Sequence, residues 1–465
     1  MKTLRLITVA LLGVLAPVAA FAQGRPWISD RGYGEGMGYR TGDLELHPGL
    51  AGEVGYDSNY FQRAGGTSGA PDSPISSALR LRITPSLTLS TLSPQRKLGD
   101  AATTTPPTLN FRAGLFASYN EMFGISGNDD FSKQRHLDGG ANLLFDILPQ
   151  RPIGIDIGAD YVRMVQPSND AATANAWNRD AVHLGAGVTW RPGGGLFDWR
   201  LGYGLLYNYF EQAAFQPLNN ATHTLETRGR WKFLPRTAAI FDAKSSWLGY
   251  TGANPVRNDG QSVQARIGMN GLVTNHFALL AMIGWGSTFY TQTSAMAVRS
   301  NFDSVVGQAE LKWYILPQPK LQPGTATVGL SSLAFGYLRD FSNSYLADYY
   351  QRDRGYAMIS YFVGGRYLID LQGGYSLINH PAFDMRVAGA ITQQSAKTEN
   401  RIDVQLFTEY RTSDSLGFNA TLRYDASITN ATLDGPAPTT PGTPQYVDKL
   451  AFSRFTGWLG ARWFL

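Results

Sequence analysis

The chain has 465 residues, 43% of them hydrophobic and 16% charged, with 51 glycines, 23 tyrosines, 24 phenylalanines, 10 tryptophans, no cysteine and a formal charge of +4. The lack of cysteine excludes thiolate metal sites and cysteine nucleophiles, and it suits transit through an oxidising compartment. The small charge, which becomes +2 if Lys2 and Arg5 leave with a leader, argues against a nucleic-acid partner.

The N-terminus reads as a signal peptide over 1–22. Lys2 and Arg5 form its charged region, Leu6 to Leu15 its apolar run, and Ala20-Phe21-Ala22 its small-x-small cleavage site. That run is shorter than the roughly 20 residues a spanning helix needs. Residues 23–42 are glycine-rich and do not alternate, which predicts an irregular periplasmic or lumenal extension. From 43 to 465 one pattern recurs: a strand-length run of alternating apolar and polar residues, then a turn or loop. Along 401–411, Ile402, Val404, Leu406, Thr408 and Tyr410 share one face. Arg401, Asp403, Gln405, Glu409 and Arg411 share the other, with Phe407 the one apolar residue among them. Successive side chains point to opposite sides of a strand, so such a run has an oily face and a charged face.

The predicted strands begin with Leu46 to Phe61, Ser77 to Thr91, Thr108 to Glu121 and Lys133 to Leu148. After the turn Pro149-Gln150-Arg151-Pro152 come Ile153 to Tyr161, Val182 to Trp190 and Phe197 to Tyr209. The pairs 222–234 with 237–250 and 261–273 with 277–290 follow, then Val305 to Leu316, Ala326 to Phe341, Arg354 to Val363 and Tyr367 to Ile378. The series ends with 400–412, 415–428 and Lys449 to Leu465. Residues 379–398 read as an external loop or short hairpin, 342–353 as a tyrosine-rich external loop, and 429–447 as a long proline-rich one. The fold class that results is all-β: a closed antiparallel transmembrane β-barrel of about 18 strands (16 to 20), with short periplasmic turns and longer extracellular loops. An even count places both termini on the periplasmic side.

Lipid on the outside assigns the faces, because Arg or Lys facing the bilayer midplane costs about 2–4 kcal/mol. The candidate lumen-lining residues are Arg80, Arg82, Asp156, Asp160, Glu226, Arg228, Arg230, Glu310, Lys312, Asp403, Glu409, Arg423 and Asp425. They carry both signs, a mixed field suited to neutral hydrophilic cargo such as sugars. Catalytic chemistry finds no support in the residue pattern. The six histidines lack metal-ligand spacing, no serine motif accompanies His183 and Asp180, and Asn128-Asp129-Asp130 falls short of a full Ca²⁺ oxygen set. No cofactor or metal is expected.

The final octapeptide, Trp458-Leu459-Gly460-Ala461-Arg462-Trp463-Phe464-Leu465, ends mid-strand on apolar side chains. It resembles the assembly signal of bacterial outer-membrane barrels, with Gly460, Trp463 and Leu465 in the matching places. It departs from that signal at Trp458, where a polar residue is usual, and in ending on Leu. The mature region resembles the large porin-like barrels of Gram-negative bacteria. Asp340 to Tyr345 with Tyr350 to Arg354 resembles a barrel group associated with exopolysaccharide secretion. These resemblances imply outer-membrane lipid and the barrel-assembly machinery as partners, and a polysaccharide-export complex in the last case. Oligomeric state is left open. Three functions compete: a channel for hydrophilic solutes, the outer-membrane barrel of an export machine, and a structural or adhesive barrel with a plugged lumen.

Overall fold

The computed structural model describes residues 38–64, 74–92, 108–127, 130–165, 178–192, 195–213, 215–292, 298–315, 331–363, 366–387, 390–434 and 447–465. The signal peptide, most of 23–42, Asn128-Asp129, the loop 166–177, the turn Pro317 to Pro323 and Gly364-Gly365 lie outside these residues.

Eighteen long strands close one antiparallel sheet, to which the short strand Tyr39–Thr41 adds a nineteenth member. They are β1 (Leu44–Asp57), β2 (Ser77–Thr91), β3 (Leu109–Ser126), β4 (His136–Ile147), β5 (Ile153–Met164), β6 (Arg179–Trp190), β7 (Phe197–Phe210), β8 (Asn220–Leu234) and β9 (Thr237–Tyr250). The second half is β10 (Asp259–Leu272), β11 (Phe277–Thr291), β12 (Asp303–Tyr314), β13 (Ser332–Asn343), β14 (Tyr349–Val363), β15 (Tyr367–His380), β16 (Lys397–Arg411), β17 (Leu416–Ile428) and β18 (Phe452–Phe464). Each strand pairs with the next in sequence. The sheet closes where β18 also pairs with β1, from Gly49 opposite Phe464 to Asp57 opposite Thr456. Closure leaves no free edge across the apolar belt, so the backbone there pairs within the sheet rather than with water.

The alternation read from sequence sets the two surfaces. Along β1, Leu50, Val54 and Tyr56 are exposed on the outside, while Glu53 and Asp57 are buried on the inside. Aliphatic residues such as Ile267, Ile283 and Leu459, each more than 60% exposed, form the outward belt. Aromatics flank it: Trp190, Trp231, Trp313 and Trp463 toward the turn end, Tyr161, Trp285, Tyr337 and Tyr375 toward the loop end. At the loop end these rings donate hydrogen bonds to outward polar groups on the next strand. Tyr161 reaches Asp180 at 2.7 Å, Trp285 reaches Asp303 at 2.6 Å, and Tyr375 reaches Asn400 at 2.7 Å. A carboxylate among acyl chains would be costly, so this ring marks the headgroup level. A closed sheet with an apolar belt between aromatic girdles is an outer-membrane barrel.

Several boundaries differ from the sequence reading. The region 342–353 is mostly strand: β14 begins at Tyr349, and only 344–348 is loop. Phe61 lies beyond β1, in a loop cluster with Tyr60, Ala78, Met122 and Phe131. Residues 383–387 and 390–394 form a two-stranded hairpin, and 432–434 pairs with 447–449 inside the proline-rich loop. Tyr39–Thr41 pairs with Leu44–Leu46, so the extension becomes regular at its end. Phe407 faces inward and is 1% exposed, packed on Ala51 and Leu368. An apolar residue survives on the polar face because the seam around it is closely packed.

The face assignment makes a paired prediction. Ile283→Arg, on the outer face, should cost about 2–4 kcal/mol and deplete folded barrel. Met282→Arg, one residue away and inward, should assemble near wild-type levels. Heat-modifiable gel mobility of membrane extracts reads both, and equal loss from both would contradict the facing.

Candidate functional site

The inner wall is laid out by register. Around the closing seam, arginines and carboxylates interlock across strands. Asp57 accepts two bonds from Arg454 (3.0 and 2.5 Å), with Arg80 at 3.4 Å. Glu53 holds Arg82 at 2.5 Å. The guanidinium carbons of Arg80 and Arg82 lie 4.8 and 4.3 Å from the Trp458 ring centre. Glu409 accepts from Arg462 (2.9 and 2.6 Å) and Arg411 (3.0 Å). Arg423 pairs with Asp425 (2.5 and 2.6 Å), and Arg354 with Asp403 (2.6 Å). Asp57, Glu53 and Glu409 are at most 2% exposed, and each holds arginine through charge-assisted hydrogen bonds.

On the other wall, Asp156, Gly187, Gly202 and Glu226 stand in one row across β5 to β8. The Arg200 guanidinium lies over the two glycines. A Cβ at either would come within 2.4 Å of its nitrogens. Arg200 therefore reaches Asp156 with two bonds (2.9 and 2.6 Å) and also holds Glu226. Gly374 clears space for Arg354 in the same way. Arg230 pairs with Asp198, Lys312 lies 3.5 Å from Glu310, and Asp160 lies 3.4 Å from His183. Asp180 points to the outer face, so it is no partner for His183. Arg228 is exposed on the inner face without a hydrogen bond or ion pair among the described residues. The candidate residues thus fall into separate groups rather than one site. Their partners Glu53, Asp57, Arg200, Arg354, Arg454 and Arg462 were not singled out from sequence, although alternation places each on the polar face.

At the terminus, a Cβ on Gly460 would lie 2.5 Å from Glu53 Cγ. Trp463 is exposed outward, and the Leu465 carbonyl lies 3.0 Å from His47 Nδ1.

The second feature spans the loop end. The β12–β13 ladder stops at Gly307 opposite Arg339, whereas β13 and β14 stay paired up to Asn343 opposite Tyr349. The free tip of this hairpin crosses the mouth. Tyr345 packs edge-on against Phe210 of β7 (5.7 Å) and takes a hydrogen bond from Asn220 of β8 (3.3 Å). Six strand spacings of roughly 4.8 Å separate β7 from β13, so this contact bridges the lumen rather than following the wall. On the other side Leu346 and Ala347, both 0% exposed, pack with Phe383, Leu433 and Leu450.

Polar bonds fasten the tip to its neighbours. Arg257 donates to the carbonyls of Tyr345 (2.7 Å) and Asp384 (3.0 Å). Asp348 accepts from Asn258 (3.3 Å) and the Ser300 amide (3.0 Å), and Asp384 accepts from the Val298 amide (2.9 Å). Burial raises the Asp348 carboxyl above the usual carboxylate range and lowers the Arg257 guanidinium. Nothing in the sequence marks this hub, since polar loops carry no period.

No protein-family model matches the sequence, and no curated protein matches it. Among solved structures, the chain is similar to Pseudomonas aeruginosa OpdQ (9% identity, TM-score 0.44, 91% of this chain and 99% of that one). It is also similar to Acinetobacter baumannii OccAB4 (8%, 0.43, 90% and 98%) and to the outer membrane protein opdK of P. aeruginosa (10%, 0.44, 90% and 99%). At these values the likeness carries no argument about cargo.

Replacing Arg257 by Met removes two buried hydrogen bonds and leaves both carbonyls unpartnered, a loss of about 1–3 kcal/mol from the hub. Amide exchange at Leu346 and Ala347 should accelerate while the β1–β18 ladder keeps its protection. Unchanged exchange at the tip would show that Arg257 does not hold it.

Proposed function

We propose that the protein is a channel for small hydrophilic solutes, with entry limited by the hairpin tip across its loop-end mouth. The carrying observation is the pairing of an apolar outer belt with an inner wall of ionic and hydroxylic side chains on all sides. Eighteen strands give a barrel of the size class that encloses water. The wall offers hydrogen-bonding partners to a solute that leaves bulk water, and a membrane barrel with a purely structural role has no need of them. The tip argues against passage of a bulky polymer in this state, because loops from both sides of the mouth meet on Tyr345, Leu346 and Ala347. The same tip is the observation that favours a plugged barrel as the second reading.

Reconstituted into liposomes, the protein should admit small sugars and exclude dextrans. A wild type that admits neither, joined by an Arg257→Met variant that also admits neither, would leave the plugged barrel standing. Closure should also respond to pH. The closed hub holds a proton on Asp348 more tightly than a hydrated carboxyl would, so closure gains as pH falls through that raised value and weakens as pH rises past it. Conductance should therefore be lower near about pH 4.5 than near about pH 7.5. Asp348→Asn, permanently neutral, should flatten the dependence, and an equal pH response in that variant would assign it to another group.

A further inference from the structure

We propose that the split between β12 and β13, above the apolar belt, is a lateral binding slot for single-chain amphiphiles of the outer leaflet. The headgroup sits at Arg339 and the chain among Phe302, Val306, Phe341 and Tyr349. The proposal goes beyond the channel reading and does not depend on it.

The wall at this place is a lap joint. The β12–β13 ladder ends at Gly307 opposite Arg339, while β12 runs on to Asp303 and β13 to Asn343. Residues 303–306 and 340–343, four on each strand, are joined by no ladder pair. Phe341 and Asn343 continue the outward row of Tyr337 and Arg339, and Tyr349 stands opposite Asn343 on that row. Val306 and Phe302 belong to the inward row of β12, as Gly286 and Tyr290 do on β11. The outward row of the hairpin packs on this inward row. Phe341 stacks on Phe302 (4.4 Å) and fills the room that Gly286 leaves. Tyr349 meets Phe302 edge-on (5.5 Å), and Tyr290 donates to Asn343 (2.8 Å). The hairpin thus forms a second layer inside β11 and β12. Phe302, Val306 and Phe341, all buried, are an apolar filling between the layers.

The position of the split names its occupant. Asp303, at its upper end, belongs to the headgroup ring, where it accepts from Trp285 (2.6 Å) and Ser287 (2.5 Å). Gly307, at its lower end, stands opposite Ile283 of the apolar belt. The free edge therefore runs from headgroup level to hydrocarbon, and the exposed Val305 borders it on the outside. Arg339 lies across it, donating to Ser304 Oγ (3.3 Å), with Asp353 at 3.5 Å. Its buried Nε has no acceptor among the described residues. A headgroup phosphate oxygen would supply one. An added β-strand would find only four residues of edge, shorter than an ordinary strand. A wholly polar solute would lose its water among aromatic rings. An acyl chain loses nothing of the kind. No ladder bond crosses the joint, so a chain slipping between the layers exchanges one set of apolar contacts for another. A single chain enters more easily than two, because the hairpin stays tied to β15 as far as Gln351 opposite Asn379 and can swing only so far.

Photolabelling of the full-length protein in phosphatidylcholine liposomes tests the proposal. Lysophosphatidylcholine with a diazirine at the end of its chain should mark the peptides that hold Phe302 to Val306 and Phe341. Adducts confined to belt residues such as Ile283 and Leu459 would overturn it. A two-chain phosphatidylcholine with the same diazirine should mark the slot about tenfold less, and equal marking would overturn the single-chain class. The double variant Val306→Asn, Phe341→Gln should lower slot labelling by about tenfold while belt adducts persist. Arg339→Gln should lower it by about fivefold, and labelling as strong as in the wild type would overturn the headgroup assignment. Heat-modifiable mobility confirms that each variant is folded, and a folded double variant labelled like the wild type sinks the slot. Sugar entry into the same liposomes tests the channel reading separately and leaves this one untouched.

Discussion

Closure of the sheet is the constraint on which the other features depend. In hydrocarbon an unpaired strand edge would leave a row of backbone groups with no partner, each at a cost of several kcal/mol. The ladder from Gly49–Phe464 to Asp57–Thr456 removes that edge. It joins the first barrel strand to the last, so it forms only when almost the whole chain is in place. The inner side of this seam is correspondingly heavily cross-linked. Asp57 joins β1 to β18 through Arg454 and to β2 through Arg80, while Glu409 reaches over β17 to Arg462. These pairs link strands that hydrogen-bond to each other and strands that do not. They therefore resist sliding of the register as well as separation.

The second organising element is the use of glycine opposite long cationic or aromatic side chains. Arg200 over Gly187 and Gly202, Arg354 over Gly374, Tyr356 over Gly336 and Trp458 over Gly55 follow one geometry. A residue without Cβ on the inner row lets a neighbouring side chain lie flat against the wall, and it lets Arg200, Arg354 and Tyr356 reach a carboxylate two strands away. The wall is thereby braced without filling the lumen at that level. Gly202 serves as clearance for a guanidinium.

Most of the barrel was legible in the sequence because lipid enforces a two-residue period and a one-residue slip would turn charge outward. The count of 18 strands follows from the alternation and from parity. The facing of Ile402, Val404, Arg423 and Asp425 follows from the alternation alone. Three things were not legible. Strand ends extend past the lipid, where the period no longer has to hold, so β14 starts at Tyr349 inside what reads as a loop. Ion-pair partners depend on register and on diagonal reach. Arg228 and Arg230 look alike along β8, but Asp198 stands opposite Arg230, while Arg228 stands opposite an arginine and an already occupied Asp242. The hub contacts join loops that are distant in sequence, and no local signal marks Arg257 or Asp348.

The strands run to 12–18 residues, more than the roughly 9–11 that cross the hydrocarbon. The surplus length at the loop end is what makes the mouth constructible. Most of it stands as wall, but β13 loses its β12 partner after Arg339 and is free to lean inward with β14. A loop of five residues could not span the barrel by itself. A paired hairpin can, because its ladder keeps the backbone satisfied while it leaves the wall. Its far end then needs an anchor that tolerates burial, and Arg257 provides one by bonding to carbonyls of two loops rather than to a carboxylate. An anchor made of backbone contacts holds position without a strong ion pair. Its strength is set by how well the loops pack, so the mouth can yield locally while the closed sheet beneath it stays intact.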